Sequence, residues 1–135
     1  MTFGILEKWR QKETMHKAKA FFEQRLDFLI GPMELHRMIE RGENINIIDV
    51  RHLEDYETDH IPGAINLPED AWSTCRGLRK DRPNIVYCYT MVCQLATRAA
   101  RYFAEHDFPV IELQGGIEQW KKCNLPVEHF ERATV

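Results

Sequence analysis

The chain has 135 residues, 44% of them apolar, with four cysteines and a formal net charge of −3. That length suits one domain whose core needs no metal or disulfide staple. The charge gives no footing for a nucleic-acid or anionic membrane surface, and no apolar stretch nears the roughly 18 residues of a membrane span. The opening MTFGILEKWRQKETMHK is too charged for a secretory signal and lacks its apolar run. Cys75, Cys88, Cys93 and Cys123 fall at irregular spacing, which is neither a disulfide framework nor paired zinc ligands. A reducing, cytoplasmic setting is expected, without metal or cofactor.

In chain order, residues 4–26 set Trp9, Met15, Ala18, Phe22 and Leu26 among charges, with no glycine or proline between 5 and 30. This predicts one or two amphipathic helices. They read either as cover for an edge or face of the core, or as a helix pairing with a second copy. The homodimer reading rests on Phe3, Ile5 and Trp9, which exceed what a monomer covers. Residues 26–30 predict a short strand ended by Gly31-Pro32. Pro32 suits the first turn of a helix whose inner face is Leu35, Met38 and Ile39 and which stops near Gly42.

Residues 45–50, INIIDV, are nearly continuous in apolar side chains, the pattern of a strand buried on both faces of a parallel sheet. EDYETDHIPG predicts an acidic helical turn closed by Pro62-Gly63, and residues 64–67 a brief strand. A turn or two of helix is expected over 70–75. Residues 85–87, Ile-Val-Tyr, form a β-favouring run introduced by the turn signal Pro83-Asn84. From Val92 the apolar residues at 92, 95, 96, 99 and 103 predict one face of a helix. Residues 110–113 predict another strand, Gly115-Gly116 a tight turn, and Ile117 and Trp120 a final helix ending before Pro126. The tail from Glu128 is expected to be loosely held. Strands alternating with helices give an α/β domain with a mostly parallel sheet. It spans residues 26–128, after an N-terminal helical extension over 1–25 and before a tail over 129–135.

Cys88 lies at the seam between the 85–87 strand and the following helix. Ligands bind beyond the carboxyl ends of strands in such sheets. A thiol there meets the free N–H groups and positive end of the helix, which favour thiolate and can hold an anion. Cys88 is the candidate nucleophile, and the backbone amides of Tyr89, Thr90, Met91, Val92, Cys93 and Gln94 are the candidate cradle. Thr90 is a candidate helix cap. Cys93 has two readings: a thiol that resolves an oxidised or persulfidated Cys88 as an internal disulfide, or a packing residue of the first helical turn. Asp49 is read as a structural acceptor for loop N–H groups, and Trp72 and Trp120 as core or pocket wall. Arg98 and Arg101 are read as solvated helix positions, with attraction of an anionic donor as the alternative.

Four segments in order, IDVR, EDYETDHIPGAINLP, IVYC with its loop and helix, and ELQGGIEQWKKCNLPV, resemble a single-domain rhodanese (sulfurtransferase) domain over roughly residues 25–127. The resemblance implies a five-stranded parallel sheet between helices. It implies sulfane-sulfur transfer through a cysteine persulfide at the position of Cys88, from a thiosulfate- or persulfide-type donor to a thiol or cyanide-like acceptor. It also implies that Arg51 supports structure through an acidic partner. The loop reads Cys88-Tyr89-Thr90-Met91-Val92-Cys93, without the glycine and arginine of the commoner C-x-x-G-x-R form, and so resembles a branch with a longer loop and a C-x4-C pair. That departure motivates two alternatives: a non-catalytic binding or regulatory module, and a redox module using Cys88 and Cys93. A cysteine phosphatase of related fold would want a loop arginine for bidentate phosphate binding, and the loop has none.

Overall fold

Five strands form one sheet in the order β1-β5-β4-β2-β3, where β1 is Leu29–Ile30, β2 Asn46–Asp49, β3 Ile65–Asn66, β4 Asn84–Tyr87 and β5 Val110–Leu113. Every neighbouring pair is parallel. The computed structural model describes residues 4–130, without the side chains of Lys8 and Trp9. The helices are α1 (Ile5–Arg10), α2 (Lys12–Asp27), α3 (Pro32–Glu40), α4 (Leu53–Thr58), α5 (Leu95–Glu105) and α6 (Gly116–Lys122), with a 3-10 turn over Glu69–Thr74. Among the described residues, no helix is long and apolar enough to cross a membrane.

Strand β4 is the middle of the sheet, paired with β2 on one side and β5 on the other. Its four residues are all buried, because side chains alternate between two apolar layers. Ile85 and Tyr87 join Ile47, Leu35, Ile117 and Trp120 in the layer on one face. Val86 and Cys88 join Ile48, Val50, Ala96, Ala99 and Phe103 in the other. The alanines at 96 and 99 have small side chains, which lets α5 lie close over β4. Asn84 starts the strand, one residue earlier than the apolar run suggests. Its buried amide donates to the carbonyls of Arg79 (2.7 Å) and Pro109 (2.8 Å), and its oxygen accepts from Asn46 Nδ2 at 2.8 Å.

From β2 the chain winds outward to β3, then returns past β2 to β4 and winds the other way to β5. The direction of winding therefore reverses between β2 and β4. A crevice opens there at the carboxyl ends, the usual binding place in open α/β sheets. Arg51 follows β2 and Cys88 follows β4, so both stand at this reversal.

Several elements differ from expectation. Helix α5 begins at Leu95, not Val92; Val92 is 89% exposed in the loop, while Ala96, Ala99 and Phe103 form the buried face. Gln94 occupies the cap position, with no side-chain bond, so Thr90 does not cap this helix. Leu26 belongs to α2 and is exposed, which shortens the first strand to two residues. Helix α2 buries none of its residues: Met15, Phe21, Phe22 and Leu26 stay exposed, so it does not cover the core. Phe3 and the side chain of Trp9, cited for the homodimer, lie outside what is described. The tail is held as far as Phe130. His60 and Glu128 exchange backbone hydrogen bonds at 2.9 and 2.8 Å, and the Phe130 amide donates to the Glu57 carbonyl at 3.0 Å. Residues 131–135, the rest of the expected tail, lie outside the described residues.

Candidate active site

The sulfur of Cys88 leaves the end of β4 on the α5 side and is buried, with the residue 2% exposed. Its thiol donates to the Cys93 carbonyl at 3.7 Å. Between them the loop curls through a turn in which the Cys93 amide donates to the Thr90 carbonyl at 3.2 Å. The curl folds Cys93 back over the Cys88 sulfur. All four described cysteines are free thiols.

The two thiols differ in acidity. Burial pushes the Cys88 thiol up to about 12, and the neighbouring Cys93 thiol adds to the rise; the amides of Ala96 and Tyr89 pull the other way. Burial also opposes charge on Cys93, but less. The hydrogen bond from Cys88 and the amides of Leu95, Tyr89 and Thr90 together hold Cys93 below the ordinary thiol range. Of the two thiols, Cys93 and not Cys88 is thus the more readily ionised. The reason is geometric: Cys88 is the more deeply buried of the two, and α5, which starts seven residues after it, gives its first amide, Leu95, to the sulfur that lies toward solvent. Leu95 and Ala96 join Tyr89 and Thr90 as amides bearing on the sulfurs. They fall outside the loop expected from sequence because the helix starts at Leu95, three residues beyond Val92. The side chains of Met91 and Val92 face solvent.

Cys93 is half-buried and lines two clefts. One, about 490 Å³, is bounded by Val50, His52, Glu69, Gln94, Leu95 and Arg98. The other, about 420 Å³, has an apolar wall of Phe21, Phe28 and Met91. Cys88 lines neither. Arg98 reaches Glu69 at 2.7 Å across the first cleft's rim, and Arg101 pairs with Glu105 at 3.1 Å; both arginines are exposed. Exposed pairs of this kind hold each other only weakly.

Arg51 and Asp49 are buried together. The Asp49 carboxylate accepts from the Arg51 amide (2.9 Å), from Nε (3.0 and 3.1 Å), from Nη2 (2.8 Å) and from the Tyr87 hydroxyl (2.7 Å). Burial works against the guanidinium charge, but the hydrogen bonds and attraction of Asp49 outweigh it and raise the Arg51 pKa above its ordinary value. Arg51 also donates to the Asp59 carbonyl at 2.5 Å and lies over the rings of Tyr87 and Tyr89. The Tyr89 hydroxyl donates to Asp55 at 2.5 Å and accepts from the His52 amide at 3.3 Å. A third cleft of about 490 Å³ lies against Arg51, Tyr89, Thr90 and Lys121, and Lys121 is paired with Asp59. His60 stacks on Tyr56 and donates from Nδ1 to the Tyr56 carbonyl at 2.7 Å, far from the cysteine pair in role.

The glycine pair after β5 fixes the loop from below. Gly115 and Gly116 both have positive φ, 81° and 61°, and turn the first amides of α6 toward β4. The amides of Ile117 and Glu118 donate to the carbonyls of Cys88 and Tyr89, each at 3.0 Å. A Cβ on Gly116 would stand 2.6 Å from the Cys88 oxygen and 2.8 Å from the Tyr89 carbonyl carbon. Both are backbone atoms that cannot step aside. Gly116→Ala is therefore expected to cost about 2–4 kcal/mol, joining overpacking to left-handed strain. Urea unfolding checks this, and a loss below about 0.5 kcal/mol, the range of an ordinary surface change, would refute the close approach.

A sequence model of the family described as "Rhodanese-like domain" matches residues 31–123. The chain belongs to that family. This rhodanese-like domain is 36% identical over 96 residues to the HTH-type transcriptional regulator Rv0324 of Mycobacterium tuberculosis, covering 70% of this chain and 42% of the regulator. It thus spans less than half of that relative's length. It is 32% identical over 93 residues to the thiosulfate sulfurtransferase GlpE of Shewanella oneidensis, covering 67% of this chain and 89% of GlpE. The crystal structure of the BH2092 protein from Bacillus halodurans is 37% identical, with a TM-score of 0.77 over 85% of this chain and 86% of that one. The family's five-stranded parallel sheet flanked by helices, expected from the resemblance, is the fold observed.

Proposed function

We propose that this rhodanese-like domain is a sulfurtransferase that carries sulfane sulfur on Cys88. The observation that carries the reading is the placement of the Cys88 sulfur. It ends the central strand at the winding reversal, beside a more acidic thiol and the amides of Tyr89 and Ala96. The naming of GlpE, which this chain nearly spans, supports the same chemistry.

In this reading Cys93 accepts the Cys88 proton as Cys88 attacks, so the buried sulfur is charged only during the reaction. The Cys88 sulfur bonds to the outer sulfur of thiosulfate or of a persulfide donor. The donor's S–S bond breaks, and sulfite or a thiolate leaves with the electron pair. The amides of Tyr89 and Ala96 then steady the persulfide anion. An acceptor thiolate, or cyanide, attacks the outer sulfur and restores Cys88. A reducing compartment such as the cytoplasm keeps the four cysteines available as thiols.

The mass of the intact protein after thiosulfate treatment tests this. A gain of one sulfur atom is expected, removed by cyanide as thiocyanate appears. A mass unchanged by both thiosulfate and a small-molecule persulfide would overturn the reading.

A further inference from the structure

Resting on that reading, we propose a second activity for the same pair: Cys93 discharges the Cys88 persulfide by closing an internal Cys88–Cys93 disulfide and releasing hydrosulfide. The domain would then reduce sulfane sulfur at the expense of a dithiol, in addition to passing it on. The curled loop folds Cys93 back over Cys88, whose sulfur lies 3.7 Å from the Cys93 carbonyl oxygen, while Cys93 itself stays half-buried beside the clefts. The two thiols also differ in the way such a pair requires. Cys93 is the accessible, acidic one, lining clefts on both its sides, and Cys88 is the shielded one.

The step balances as follows. The Cys93 thiolate attacks the inner sulfur of the persulfide, the Cys88 Sγ. A bond forms between the two Sγ atoms, and the bond from Cys88 Sγ to the outer sulfur breaks. The outer sulfur leaves as hydrosulfide with the electron pair and its proton. Two thiol sulfurs are oxidised to a disulfide and one sulfane sulfur is reduced to sulfide. A dithiol reductant restores the pair. Its first thiolate attacks Cys93, the sulfur open to the clefts, and Cys88 leaves and takes up a proton. Its second thiol then closes the reductant's own disulfide.

The experiment loads the whole protein with thiosulfate, removes small molecules, and follows hydrosulfide and intact mass without reductant. The wild type is expected to release one equivalent of hydrosulfide. Its mass should fall from one sulfur above the reduced protein to two hydrogens below it, with a digest showing Cys88 linked to Cys93. Cys93→Ser, which loads more slowly without its proton acceptor and is treated until its mass gain matches that of the wild type, is expected to keep its sulfur and release hydrosulfide at least about tenfold more slowly. A dithiol should return the wild type to its starting mass. Loaded wild type that keeps its sulfur overturns the inference and leaves the sulfurtransferase reading intact. Equal release from Cys93→Ser, or a disulfide to Cys75 or Cys123, overturns it too. Should the variant not load, the linked peptide from wild type decides alone. A wild type that never gains sulfur overturns the transfer reading itself, and the inference with it.

Discussion

Cys88→Ser is expected to reduce sulfur transfer to the uncatalysed background, a fall on the order of a thousandfold or more. The hydroxyl is not ionised by a neighbouring thiolate, and an oxygen at this position cannot hold a sulfane sulfur. The fold should survive. The serine hydroxyl is close in size to the thiol, with the Cys93 carbonyl and the amides of Tyr89 and Ala96 in reach as partners. With those partners, the cost of a hydroxyl in the apolar layer is about 1–2 kcal/mol. Thiocyanate formation and thermal unfolding, measured on one preparation, separate lost chemistry from lost structure. Turnover within tenfold of the wild type, by about that factor, would move the nucleophile to Cys93.

The place of Cys88, at the end of the central strand, was legible because it depends on short-range pattern. Residues 85–87 are an unbroken apolar run in the middle of the chain, and such a run ends where the parallel sheet meets its loops. Trp120, Leu35 and the buried helical face of Ala96, Ala99 and Phe103 followed from the same reasoning. The difference in acidity between Cys88 and Cys93 was not legible. It depends on where the helix starts, and periodicity alone gave Val92 a place on the apolar face. Nothing in the loop's residues marks Leu95 as the first helical position, since Gln94 caps without a side-chain bond. The held tail was hidden for a different reason. Its bonds to His60 and Glu57 are between backbones, and backbone pairing over so few residues leaves no side-chain signature. The cover expected of α2 failed because an amphipathic stripe shows only that a face is apolar, not that anything lies opposite it.

Asp49→Ala is expected to lower the unfolding free energy by about 3–5 kcal/mol, the range for removing one member of a buried ion pair. Arg51, 3% exposed, would keep the Asp59 carbonyl at 2.5 Å and the Asp59 carboxylate at 3.6 Å, the latter shared with Lys121. The Tyr87 hydroxyl would still accept from the Ile61 amide at 3.1 Å, with its own proton left without the carboxylate. Three donors, the Arg51 amide, Arg51 Nε and the Tyr87 hydroxyl, thus lose their acceptor by one change, which places the loss well above that of a single hydrogen bond. Adding Arg51→Met to Asp49→Ala should recover part of the loss, because the uncompensated charge goes with it. Urea unfolding of the wild type and the single and double variants forms the test. A single-variant loss under about 1 kcal/mol, the size of a surface ion pair, would show that Asp59 alone can hold the arginine. The same change reaches the sulfur. Asp49 stands opposite Tyr87 in the β2–β4 register, and the Val50 amide donates to the Tyr87 carbonyl at 3.1 Å. The residue before Cys88 is therefore held twice from the end of β2, at its carbonyl by the Val50 amide and at its hydroxyl by the Asp49 carboxylate. With the carboxylate gone, sulfur loading per folded molecule should fall as well, whereas a purely structural partner would lower only the folded fraction.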